Sequence, residues 1–197
     1  MKYLIVFFHC LFVHSQDSDS LLVWQKNVPL RFNHYKMMVK DSTQYEYSAL
    51  SRLSINVEFE IDNDKVNYSV NTVFHKLKSY IILKDSVVLK HEQLHFDIAE
   101  LYAMKIRRDF KKLKENNIID ISIYRKKYDE HVDDMESKQQ EFENDTHLYL
   151  VNNFKITDSS TAFSFSENIK SNNKLLYTRH EKWLKWIKKE FTKATSR

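Results

Sequence analysis

Val88-Leu89-Lys90-His91-Glu92-Gln93-Leu94-His95-Phe96-Asp97-Ile98-Ala99-Glu100-Leu101-Tyr102 carries a helical period with two histidines set four residues apart. At 100° per residue, Val87, Leu94, Ile98, Leu101 and Tyr102 fall on one face, and His91 and His95 share it. Asp85-Ser86 supplies a start signal and Asn116-Asn117 a stop, so a helix is predicted from about Ser86 to Glu115. On such a helix the two imidazoles stand one turn apart, about 40° from each other in projection. They can then converge on one zinc ion, with Glu92 beside them. Zinc lowers the pKa of a bound water toward about 7, and a neighbouring carboxylate can take the proton as the oxygen attacks a carbonyl. The plain alternative is a pair of hydrogen-bonded core histidines.

Upstream of this helix the period changes from helical to alternating. Leu53, Ile55, Val57, Phe59 and Ile61 face one way, with Ser54, Asn56, Glu58 and Glu60 between them. Asn63-Asp64 reads as the turn, and Val66, Tyr68 and Val70 resume the alternation, predicting a β-hairpin. Leu21–Trp24 and Tyr80–Leu83 are shorter strand candidates. Downstream, Ile121, Tyr124, Tyr128, Val132, Met135 and Phe142 recur mostly every three or four residues and predict a second helix. Residues 148–174 are rich in Asn and Ser and read as an irregular insertion. Residues 175–193 read as a basic amphipathic helix with Leu176, Trp183, Ile187 and Phe191 on one side.

The N-terminus reads as a secretory signal. Met1-Lys2 is a short basic start, Tyr3 to Val13 is apolar, and a cut is expected ahead of Gln16. An apolar run of about 11 residues is too short for a membrane span, which needs about 20. Cys10, the single cysteine, lies inside this segment, so a chain of residues 16–197 has no thiolate to offer a metal or a disulfide. The expected organisation is therefore a signal peptide over 1–15 and one domain over 16–197, exported to the periplasm or the exterior. Stable membrane insertion is not expected after cleavage.

Composition limits other classes. The 197 residues are 42% hydrophobic and 29% charged, enough for a folded core. Glycine is absent, which argues against a phosphate-cradling loop and forces tight turns onto Asn and Asp. The net charge of +4 is modest and spread along the chain, so no nucleic-acid partner is expected. Lys182, Lys185, Lys188, Lys189 and Lys193 are expected to form a solvated helix face.

The stretch around His91 resembles the signature of the bacterial domain-of-unknown-function 922 family, regarded as secreted, predicted zinc-dependent peptidases. Gln93, Phe96, Asp97, Ile98 and Glu100 carry the likeness, because a generic HExxH site does not demand them. Leu22-Val23-Trp24 is similar to the family's opening Leu-x-Trp, and Ser79-Tyr80 stands where the family tends to have Ser-Trp. The likeness covers roughly residues 21–147. It implies a zincin-like α+β domain: an antiparallel sheet packed on a long active-site helix, with a second helix and a C-terminal helix. By analogy with zincins, the strand around Val66–Val73 is expected to line the cleft and pair with an extended peptide.

The resemblance also bears on the third zinc ligand. Glu100 projects about 180° from His91 and Asp97 points off the zinc face, so neither is expected to bind. The family's Tyr-Asp-x-Glu-Thr-x-His is similar to Phe142-Glu143-Asn144-Asp145-Thr146-His147, which implies His147, although histidine here follows Thr directly. His180, in a counterpart of the family's Gln-x-x-Trp, and His131 remain alternatives. The expected site is thus Zn2+ on His91, His95 and His147, with Glu92 as general base and a peptide or protein as substrate. The competing expectation is an exported, non-catalytic protein with a structural or degenerate zinc site.

Overall fold

Asn63 and Asp64 both adopt positive φ, 48° and 57°, and turn strand β3 (Leu53–Asp62) directly into β4 (Lys65–His75). Two successive left-handed residues match the right-handed twist of the flanking strands. Without glycine, the short side chains of Asn and Asp are the ones that tolerate this region. In the computed structural model, residues 19–40, 48–146 and 159–195 are described, with side chains in the last stretch described from residue 177. All four of their positive-φ residues are Asn or Asp: Asn27, Asn63, Asp64 and Asn117.

The fold is α+β, with small antiparallel sheets and three helices. β1 (Leu21–Val23) joins the other side of β4, giving the order β1-β4-β3. A two-stranded ladder pairs β2 (Ala49–Leu50) with β5 (Tyr80–Ile81). Helix α1 runs Ser86–Glu115; its N-cap Asp85 accepts the Val87 N–H at 2.6 Å. Its C-terminus closes through Asn117 N–H to the Lys114 carbonyl and Ile118 N–H to the Leu113 carbonyl, both 3.0 Å. That pair of bonds, with Asn117 left-handed, is a Schellman stop without glycine. Helix α2 (Ile121–Thr146) returns beside α1, and α3 (Ser159–Thr195) completes the fold. Among the described residues no helix is long and apolar enough to cross a membrane.

The main core lies where α1 meets the hairpin and the other two helices. Ile55, Val66 and Val70 from the sheet meet Leu94, Ile98, Tyr102, Ile106 and Phe110 from α1, Tyr124 and Phe142 from α2, and Trp183 and Ile187 from α3. At its distal end the Phe110 ring has centroids of Phe59, Tyr68 and Tyr124 at 5.6, 5.3 and 5.1 Å. Polar ties then fix the register. Buried Glu100 accepts the Thr72 hydroxyl at 2.7 Å and Arg107 Nη1 at 2.7 Å, while Arg107 Nε reaches the Val70 carbonyl at 2.9 Å.

Two expectations are corrected. Residues 159–174, read as irregular, are helical, and α3 begins at Ser159. Ser and Asn cost only tenths of a kcal/mol each in a helix, and no glycine or proline interrupts the segment. β4 does not offer a free edge near the histidines. β3 covers one side along its length, and the other is taken by β1, by Trp24 N–H on the Thr72 carbonyl and by Arg107 on Val70. Val66 and Val70 are buried under the distal half of α1. The signal segment with Cys10, residues 148–158 of the insertion, and His147 lie outside the described residues.

Two substitutions test this account. Phe110→Ala should destabilise the fold by about 3–5 kcal/mol through lost burial and a residual cavity. Glu100→Ala should cost about 2 kcal/mol by leaving the Thr72 hydroxyl and the half-exposed Arg107 unpaired. Urea unfolding monitored by circular dichroism measures both.

Candidate metal centre

The N-terminal third of α1 presents His91, Glu92 and His95 over one turn, with His91 and Glu92 buried. The partner surface is α2, whose Gln139 and Glu143 continue the helical face of Met135 at steps of four. The Nε2 atoms of His91 and His95 are 3.1 Å apart. Glu143 Oε1 lies 3.2 Å from the first and 2.7 Å from the second. These three donor atoms all fall within 4.8 Å of one another, so the group can hold a metal ion. Two ligands bound tetrahedrally at about 2.0–2.1 Å stand roughly 3.3 Å apart, close to two of the observed spacings and about 0.6 Å longer than the one between Glu143 and His95. Two nitrogens and one carboxylate oxygen form a donor set suited to a divalent transition ion.

The remaining ring nitrogens are supported from behind. His95 Nδ1 faces Gln139 Oε1, and Gln139 Nε2 donates to the His95 carbonyl at 2.9 Å. His91 Nδ1 faces His180 Nε2 of α3 at 3.1 Å. The Phe142 ring stacks on His91 at 4.6 Å and meets His95 edge-on at 4.7 Å. Lys90 pairs with Glu181 at 2.5 Å, and Asp145 accepts the Trp183 indole N–H at 2.7 Å, so α3 is tied beside both ligand-bearing segments.

Electrostatics follow from this crowding. Burial pushes the His91 pKa down, and burial with nearby His91 and Lys90 pushes that of His180 down to about 3. His95 feels the same penalty from burial, but the Glu143 hydrogen bond and the charges of Glu92 and Glu143 outweigh it and raise its pKa. Burial would raise the Glu143 carboxyl, yet its bonds to both histidines hold it far below the usual carboxylate range. The cluster thus sets a carboxylate against two imidazoles, and a cation between them would be held by all three groups.

Glu92 supplies no atom to this donor group, but its charge acts on both histidines, and it receives no hydrogen bond among the described residues. Tyr35 lies near it: burial and then the Glu92 charge push the Tyr35 hydroxyl up, and that hydroxyl is hydrogen-bonded to Ser51 Oγ at 3.0 Å. Tyr35 therefore stays protonated close to Glu92.

The other residues singled out in the sequence lie elsewhere. Asp97 accepts from Trp24 Nε1 at 2.9 Å and from Gln93 Nε2 at 2.8 Å, and Gln93 Oε1 accepts the Leu30 N–H at 2.6 Å. These bonds strap the N-terminal segment to α1. Glu100 serves Thr72 and Arg107. His131 binds Asp109 at 2.9 Å, about 21 Å along α1 from His95. His180 stands behind His91, on the opposite side of the ring from Nε2. The sequence pattern does not single out Glu143 and Gln139 as site residues, although both extend the Met135 face in steps of four. Nothing in the pattern around Tyr35 marks it.

No family model, no curated protein and no solved structure matches this chain.

If Glu143 is the third donor, Glu143→Ala should weaken divalent-metal binding by about 100-fold or more, beyond the 10–100-fold typical of losing an outer partner. His147→Ala should have the smaller effect. Competition with a chromophoric chelator measures both affinities.

Proposed function

We propose that this chain is an exported zinc-dependent hydrolase, a peptidase that cleaves amide bonds, with a zincin-like arrangement of the kind the family resemblance implies. The observation that carries the proposal is the convergence of His91 Nε2, His95 Nε2 and Glu143 Oε1, with Glu92 in the same helical turn. Three side chains among the described residues form this group. Catalytic zinc sites keep three protein ligands and one open position, whereas structural ones are closed by four.

His91, His95 and Glu143 would hold the ion, two neutral imidazoles and one carboxylate leaving it a net positive charge. Zinc held there would act as a Lewis acid on a scissile carbonyl and acidify water toward about pH 7. Glu92 is the general base: it takes a proton from water as the oxygen adds to the carbonyl carbon. It then returns that proton to the departing amine nitrogen. A carboxylate with no competing hydrogen bond from its described neighbours is free to do both. Phe142 stacks on one face of the His91 ring and meets His95 edge-on, which fixes the orientation of both rings. The exposed lysines of α3 lie on its solvent side, and the partner proposed is a peptide or protein chain.

Elemental analysis and a quenched-peptide library test this together. The wild-type chain should hold about one zinc, and His91→Ala should lose it. Glu92→Gln should keep the metal while hydrolysis falls by about 10²–10⁴-fold. Stoichiometric zinc without hydrolysis of any peptide would assign the site a structural role. A chain without His91-dependent zinc would end the metal reading.

A further inference from the structure

We infer that His180 is a positioning residue for this centre: it accepts the Nδ1 proton of His91, presents the His91 Nε2 lone pair to the metal, and so makes metal affinity depend on α3. The inference rests on the proposed metal site. A neutral imidazole carries one proton, and the nitrogen that bears it cannot be a ligand. For His91 Nε2 to bind, the proton must stand on Nδ1, and that atom faces His180 Nε2 at 3.1 Å. His180 Nε2 must then be the acceptor, with its own proton on Nδ1.

That Nδ1 is buried and has no partner among the described residues. His180 is fully buried, and its one hydrogen bond there is with His91. Placing the proton there leaves a buried N–H unpaired among the described residues, a cost that the bond to His91 and the metal it serves would offset, and no other hydrogen bond competes for this ring. Its polar role is therefore toward His91, and no second contact fixes its tautomer against the one His91 requires.

The two histidines are held from different helices. His95 is held by Gln139, which shares α2 with Glu143. His91 is held by α3, which is anchored immediately beside the ligands by Glu181 on Lys90 and Trp183 on Asp145. His180 is thus delivered to the His91 ring by a helix that supplies none of the three donor atoms.

The test compares zinc affinity, by chelator competition, in the wild-type chain, His180→Gln and His180→Phe. The Gln amide oxygen can replace the Nε2 acceptor, whereas Phe keeps a ring of similar size beside Phe142 and offers no acceptor. His180→Phe should bind about 10–100-fold more weakly, and His180→Gln should recover to within about threefold of wild type. His180→Leu replaces the Phe variant if the latter fails to fold by circular dichroism. At saturating Co2+ the visible ligand-field bands should match wild type in both variants, because His180 is not itself a ligand. Wild-type affinity in His180→Phe overturns the inference, as do altered Co2+ bands, which would make His180 a direct ligand. Equal weakening in both variants overturns it too, since packing rather than hydrogen bonding would then explain the loss. Those outcomes leave the metal site standing, whereas absence of zinc from the wild-type chain removes the site and the inference together.

Discussion

Burial of α1 on several sides at once is the constraint on which the rest depends. One stripe of this helix packs on the hairpin, and α2 and α3 cover much of the remainder. A helix enclosed in this way must satisfy every polar group it carries inward, because a buried donor or acceptor left unpaired costs about 1–3 kcal/mol. The polar residues of α1 are distributed accordingly. Gln93 and Asp97 serve the N-terminal segment, Glu100 serves β4, and His91 and His95 meet α2 and α3.

This division explains the unusual sequence around the histidines. Gln93, Asp97 and Glu100, which distinguish it from a bare HExxH pattern, are wiring that holds strands and strap against the helix. Phe96 and Ile98 are fully buried packing. The residues that could do chemistry occupy the opposite part of the helix, where a carboxylate from α2 completes them. Rigid support thus lies on one side of the helix and the convergence of donors on the other.

Much of the fold was legible from local pattern. Alternation over residues 53–61 and the Asn63-Asp64 pair marked the hairpin, since only a left-handed turn joins two strands so tightly and only Asn or Asp was available to make it. The helical period and its two end signals located α1, and the tyrosine spacing located α2. The segment 159–174 was not legible, because Asn and Ser are weak helix formers whose preference is easily overridden. The supposed cleft strand failed for a different reason: strand order depends on which segments pair, and alternation along one strand carries no record of its neighbours.

The candidate centre divides along the same line. By itself the sequence determined that His91, Glu92 and His95 share one turn, because a 3.6-residue period and two intact end signals leave them no other relation. It also determined that Glu100 and Asp97 point away, by the same angular arithmetic. Which side chain meets the histidine pair was decided only by the tertiary structure. Glu143 and His180 are 48 and 85 residues from His95, and no local rule links positions so distant. Their approach follows from how α2 and α3 pack on α1, where ridge fits groove and each buried nitrogen must find a partner.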